Sequence, residues 1–234
     1  MKFSREQYIF LAAGVAILVA GSIGIYSFMN QDPYEGLVTH VEVQSDEGLR
    51  TLAEQRIATA QASLQAATDA GEELNTDLYN AIASDALLLG DLVLARESLE
   101  SSLSYNSLNG TTWSSYAYTL LSMQDYENAK SAYLRAVEIT PMEATYRDAI
   151  RILTQHFPEE REKVKELYED SVDLLGQKMF NMLGLANWYA DAGDCDRAES
   201  HFDVAEDLST SDDIRQQVVD EKEAALLVCK EFEG

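Results

Sequence analysis

Three histidines, two cysteines and 41 carboxylates are the side chains of this 234-residue chain with the widest chemical repertoire. His40, His156 and His201 stand far apart, and none belongs to a His-Glu-x-x-His or similar spacing that would turn two ligands toward one metal. With acids this abundant, neighbouring carboxylates arise by chance on helix surfaces, so a close pair does not identify a general acid and base. The sequence therefore presents no catalytic, cofactor-binding or metal-ligating set, and it reads as a protein that is not an enzyme. Cys195 begins one predicted helix and Cys229 lies near the end of the next. If those helices pack antiparallel, the two residues reach similar heights. A disulfide in an oxidising compartment and two buried free thiols are both compatible with that placement. Asn109-Gly110-Thr111 matches a glycosylation acceptor, a triplet too common by chance to carry weight.

The elements that must position any site are helical. Pro33, Pro141 and Pro158 are the only prolines and fall where turns or linkers are expected, so long helices meet no obstacle. With 46% hydrophobic residues the chain can fill one core or a short stack of repeats. A net charge of −24, from 41 acidic and 17 basic residues, repels phosphate backbones and excludes nucleic acid as a ligand. Solubility accounts for such a surface; salt adaptation and a basic partner are the other readings.

Residues 9–28 carry no charge, and as a helix they would span about 30 Å, the hydrocarbon thickness of a bilayer. Tyr8, Phe10, Tyr26 and Phe28 put rings near both headgroup levels. Lys2 and Arg5 precede the run, whereas Asp32, Glu35, Glu42, Asp46 and Glu47 follow it before Arg50. The positive-inside rule then predicts a cytoplasmic N-terminus (residues 1–8), a single-pass transmembrane helix (9–28), and the remainder on the extracytoplasmic side. The apolar run outlasts a signal-peptide core and has no small-x-small cleavage site, which favours an uncleaved anchor. Ala12, Ala16, Ala20 and Gly24 line one face where a partner helix could approach closely, although small residues are frequent in all membrane helices. Residues 29–44, with Pro33 and Gly36 and no periodicity, read as a linker.

Self-similarity supplies the main signal. Gly90-Asp91-Leu92-Val93-Leu94-Ala95 recurs as Gln124-Asp125-Tyr126-Glu127-Asn128-Ala129, 34 residues on (129 − 95), and again as Gly193-Asp194-Cys195-Asp196-Arg197-Ala198, 69 residues further (198 − 129). Twice 34 plus one leaves room for a degenerate unit with one inserted residue. In the best unit Trp113, Ala117, Leu120, Asp125, Tyr126, Ala129, Tyr133, Ala136 and Pro141 stand at the offsets of the tetratricopeptide-repeat family, which the chain resembles over residues of about 75 to 210. Tyr79, Ala83, Gly90, Ala95 and Leu99 form a weaker first unit. Leu185, Ala186, Tyr189, Gly193, Ala198, Phe202 and Ala205 form the last. The third, near Thr145 to Leu175, keeps two amphipathic helices around His156-Phe157-Pro158 but lacks the small-residue signature. The resemblance implies an all-α fold, a right-handed superhelical stack of helix hairpins (an α-solenoid) preceded by one transmembrane helix. About four repeats would occupy residues 76–210. A flanking helix in residues 45–75, capped by Ser45 and carrying Leu49, Leu52, Ala53, Ile57, Ala60, Leu64 and Ala67 on one face, would precede them. A capping helix in residues 211–234 would close the stack.

In the resembled family the first helix of each unit lines a concave, protein-binding groove. Here that helix would present Asn80 and Ser84, then Ser114, Tyr118 and Leu121, then Leu183 and Asn187. Members that clamp C-terminal carboxylates use Lys and Arg in the groove; these positions have none, which argues against such ligands. The expected function is a membrane-anchored scaffold or adaptor that binds a protein or peptide outside the cytoplasm. The alternatives are a structural subunit of a membrane complex, held by the small-residue strip, and a client-holding accessory of a secretion translocon.

Overall fold

The computed structural model describes residues 32–231. The expected transmembrane helix, its small-residue strip and the cytoplasmic N-terminus lie outside the described residues, as do residues 232–234. Among the described residues no helix is long and apolar enough to cross a membrane. The chain divides into two compact units, Met1–Val38 and Thr39–Gly234. The described part of the first is a pair of turns, in which Glu35 and Leu37 donate backbone N–H groups to the Asp32 and Tyr34 carbonyls at 3.0 Å.

The second unit is built of ten α-helices among the described residues: α1 (Glu47–Ala70), α2 (Thr76–Leu89), α3 (Leu92–Tyr105), α4 (Gly110–Ser122), α5 (Tyr126–Ile139), α6 (Glu143–His156), α7 (Arg161–Leu175), α8 (Met179–Asp191), α9 (Cys195–Asp207) and α10 (Asp212–Glu231). Each packs on its neighbours in sequence, and α10 touches both α8 and α9. This is the contact pattern of a solenoid, in which each unit covers the apolar face of the next. The small residues of the repeat are fully buried: Ala117, Ala129 and Ala136 in the second hairpin, Ala95 in the first, Ala186, Ala198 and Ala205 in the fourth. Without bulk at these positions two helices approach closely, and Tyr133, Leu120 and Phe202 fill the space beside them.

The recurrent hexapeptide is the hairpin turn. Its first residue takes a left-handed backbone in all three copies, φ 81° at Gly90, 64° at Gln124 and 77° at Gly193. Gln124 is the only non-glycine with positive φ among the described residues. The aspartate that follows ends the turn and opens the next helix. Asp91 Oδ1 accepts from the Leu94 N–H at 3.0 Å and Asp194 Oδ1 from the Arg197 N–H at 3.1 Å, each satisfying a donor that the helix leaves orphaned. Arg197 also pairs with Asp194 and holds its carboxyl below the usual carboxylate range.

The N-terminal flank departs from expectation in three respects. The α1 cap is Asp46, whose Oδ1 accepts from the Gly48 N–H at 2.8 Å, and not Ser45. Leu49 and Leu52 are exposed, so the buried stripe is Ala53, Ile57, Ala60 and Leu64, with Ala67 half-buried beyond it, and Arg56 joins it by pairing with the buried Asp85 of α2. The expected linker of residues 29–44 does not run free to its end. Thr39 to Val43 lie extended along the first hairpin turn, where Val41 donates to the Gly90 carbonyl at 3.0 Å and Leu92 to the Thr39 carbonyl at 3.1 Å. Gly90 makes this possible, because a Cβ there would stand 1.9 Å from the Val41 oxygen.

The third hairpin, without the small-residue signature of the others, still forms, with Ala149 buried at its centre. Its turn replaces the left-handed residue with Phe157, which is buried, and a 3₁₀ turn over Pro158–Glu160; proline cannot take a positive φ. Past α7 a buried polar cluster sets the next turn: Asn181 donates to the Ser171 hydroxyl at 3.2 Å and to the Gly176 carbonyl at 3.1 Å, and accepts from the Lys178 N–H at 2.8 Å. At the C-terminal end Cys195 of α9 and Cys229 of α10 are joined in a disulfide, Cα atoms 5.8 Å apart. Both are buried.

Candidate peptide-binding groove

The first helices of successive hairpins, α4, α6 and α8, carry a run of adjoining cavities. One of about 320 Å³ is lined by Ser114 and Tyr118 of α4, Tyr133 of α5, and Asp148 and Arg151 of α6. Arg151 is shared with a second, of about 490 Å³, which Arg147 and Ile150 of α6 and Leu183 and Asn187 of α8 enclose. Tyr168, Gly184 and Asn187 are shared in turn with a third, of about 300 Å³.

Of the seven residues expected in the groove, Ser114, Tyr118, Leu183 and Asn187 line these cavities. Three do not. Asn80 accepts from the buried Thr112 hydroxyl at 3.3 Å and serves the α2–α4 contact. Leu121 packs against the core. Ser84 is exposed and lines none of the cavities described. Tyr118 is 52% exposed, an aromatic ring offered to a ligand. Asn187 donates to Glu221 of α10 at 2.6 Å, so the capping helix continues the same face and adds a carboxylate to it.

The expectation that the groove holds no cation is corrected by the third hairpin. Arg147 and Arg151 occupy on α6 the places that Ser114 and Tyr118 hold on α4 and Leu183 and Asn187 on α8. The offsets are 33 (147 − 114) and 36 (183 − 147), which together make the 69 of the full shift. A strict period of 34 points to Asp148 and the buried Ile152 instead, which is why these arginines escape the periodicity. The guanidiniums are already neutralised: Arg147 pairs with Glu143 at 2.6 Å and Arg151 with Asp148 at 2.7 Å. Arg147 also lies over the Phe180 ring, 4.6 Å from its centroid.

The third cavity is the most specifically built. Its back wall is Phe157 and Pro158 of the irregular turn, with Val164 of α7; its side is Trp188. Arg161 and Trp188 lock that side reciprocally, Arg161 donating to the Trp188 carbonyl at 2.8 Å and the indole N–H to the Arg161 carbonyl at 3.1 Å. Gly184 seats the Tyr168 ring against α8, since a Cβ there would stand 2.1 Å from it, and burial pushes the Tyr168 hydroxyl above its ordinary range. The histidines have structural surroundings. His156 stacks on Tyr126 at 4.0 Å, His201 Nδ1 lies 2.7 Å from the Arg197 carbonyl, and His40 pairs in an isolated bridge with Asp91.

No protein-family model matches the chain, and no curated protein matches it in sequence. Solved structures do. MamA is 18% identical, covers 71% of this chain and 96% of its own, and superposes with a TM-score of 0.54. PilF of Pseudomonas aeruginosa is 16% identical over 78% of this chain and 90% of its own, TM-score 0.50. YrrB, described as a TPR protein with an unusual peptide-binding site, is 17% identical over 73% of this chain and 89% of its own, also at 0.50. At these identities the likeness shows the fold alone: the helices of residues 47–231 form an α-solenoid similar to that of solved tetratricopeptide-repeat structures.

Proposed function

We propose that this protein is a membrane-anchored scaffold without chemistry of its own, which binds an extended segment of a partner protein in the α4–α6–α8 groove on the extracytoplasmic face of the membrane. The observation that carries the binding reading is the unbroken run of three cavities across successive first helices, with Tyr118 exposed at one end and Asn187 shared between the last two. A peptide-binding site in the similar YrrB supports it. The location rests on the charge asymmetry about residues 9–28, and the Cys195–Cys229 disulfide supports an oxidising compartment. The anchor serves to raise the local concentration of the groove at the membrane surface. The small-residue strip Ala12, Ala16, Ala20, Gly24 supports a second reading, in which a partner helix makes the essential contact and the stack is a spacer.

Site-specific photocrosslinking in intact membranes, with probes at Tyr118 and Asn187 and a control at Glu199 on α9, tests the two. Recurrent proteins captured from both groove positions, and not from the control, are the expected result. Capture from probes in residues 9–28 alone would sink the groove reading in favour of the structural subunit.

A further inference from the structure

We infer that the Phe157–Tyr168–Trp188 cavity is an anchor pocket of the proposed groove, and that its occupant is a bulky apolar side chain flanked by lysine or arginine in an extended partner segment. This rests on the groove reading and makes it specific. The volume, about 300 Å³, stands at the lower end of the range of about 300–1,000 Å³ found for ligand pockets. It suits one side chain rather than a cofactor. Phe157, Val164 and Trp188 give an apolar interior, and the reciprocal Arg161–Trp188 hydrogen bonds hold one wall open before anything binds. An occupant therefore meets a preformed, largely apolar wall and forfeits little ordering entropy.

The flanking charge follows from what surrounds the mouth. Asp191 is at its rim with a side chain 73% exposed, and its single ion pair among the described residues is a loose one, 3.8 Å from Arg161. Glu221 accepts from Asn187, which lines the same pocket, and makes no ion pair among the described residues. On α8 there is no cation, whereas upstream on α6 both arginines are matched by Glu143 and Asp148. In the lining itself Arg161 faces Asp191, and Lys165 beside Trp188 is paired with Glu169, so the carboxylate left without an ion pair at the mouth, among the described residues, is Glu221, in a chain of net charge −24. An acidic or phosphorylated segment is repelled there; a basic residue on either side of the anchor reaches Asp191 or Glu221.

The test uses the full chain in detergent and fluorescent Ser/Gly peptides carrying Lys-Phe-Lys, Lys-Ser-Lys or Glu-Phe-Glu at their centre, read by anisotropy. Lys-Phe-Lys should bind, replacing Phe by Ser should weaken it about 10- to 100-fold, and the Glu peptide should weaken it with a difference that shrinks as salt rises. Thr154→Trp, an exposed substitution at the pocket mouth, should erase the Phe dependence; D191K with E221K should erase the lysine dependence. Equal binding of all three peptides, with the Tyr118 probe still crosslinking partners, overturns the anchor pocket and leaves the groove standing. No peptide binding together with no capture at Tyr118 removes both. Concentration-dependent self-association that Thr154→Trp abolishes would assign the pocket to a second copy of the chain and likewise overturn the inference.

Discussion

At the scale of single residues, Gln124 carries the clearest cost. A side chain in the left-handed region crowds its own backbone, and its counterparts at the other turns, Gly90 and Gly193, avoid this. Gln124→Gly is expected to stabilise the protein by about 0.5–1 kcal/mol, net of the glycine's added unfolded-state freedom, visible as a Tm increase of about 1–4 °C. A lower Tm would mean that Gln124 makes a contact outweighing its backbone. Tyr116 gives a pH dependence. Burial, and then its 2.8 Å hydrogen bond to Glu100, push its hydroxyl up to about 12. A raised folded-state value favours the protonated form, so this contribution is whole below about pH 10 and is lost as pH rises from 10 toward 12. Tyr116→Phe should make the fall of the urea midpoint over that window shallower; an unchanged slope would refute the assignment.

Among the elements, the ends of the stack are the parts least constrained by repetition. The disulfide closes a loop with a sequence separation of 34, for which chain entropy predicts a contribution of about 3–4 kcal/mol. The paired substitution C195A and C229A is expected to lower stability by about that amount, with the first proteolytic cleavage appearing in α10; cuts elsewhere first would mean that the helix is held by packing alone. At the other end, Gly90→Ala should displace the Thr39–Val43 segment and expose its amides to hydrogen exchange while α2 and α3 stay protected. These ends were also where the sequence was least informative. Periodicity identifies Ala117, Ala129 and Ala198 because small buried residues recur, and it identifies the Gly-Asp turns because each performs the same backbone task. It is silent on Thr39–Val43, since an extended strand docked by backbone hydrogen bonds requires no particular side chains on its own part. It misplaces Leu49 and Leu52 because a helical stripe says which face is apolar but not how far along that face the neighbour extends. The anchor pocket is not legible for a related reason: it forms where the one hairpin that breaks the repeat, through Phe157 and Pro158, meets Gly184 and Trp188 of the next, and neither half recurs.

For the whole molecule, 41 acids against 17 bases make self-repulsion a standing load on the folded state. Added salt, which shortens the screening length from about 30 Å at 0.01 M to about 10 Å at 0.1 M, should raise the Tm in a buffer near neutral pH; a Tm that falls over this range would show that the ion pairs linking helices, such as Arg56–Asp85 and Lys130–Glu160, outweigh the net charge. The same arithmetic explains why most of the 17 cations are spent within or between helices and few remain to meet a ligand. The docked segment ahead of α1 has a mechanical meaning as well. In the proposed anchored scaffold, a tug on a bound partner would run as tension along the incoming chain and be met first by the two backbone hydrogen bonds between Thr39–Val41 and Gly90–Leu92. On that reading they would serve as a strain relief, like the clamp on a cable where it enters a housing: a modest pull would peel them open and lengthen the lead before it loaded the helices of the groove.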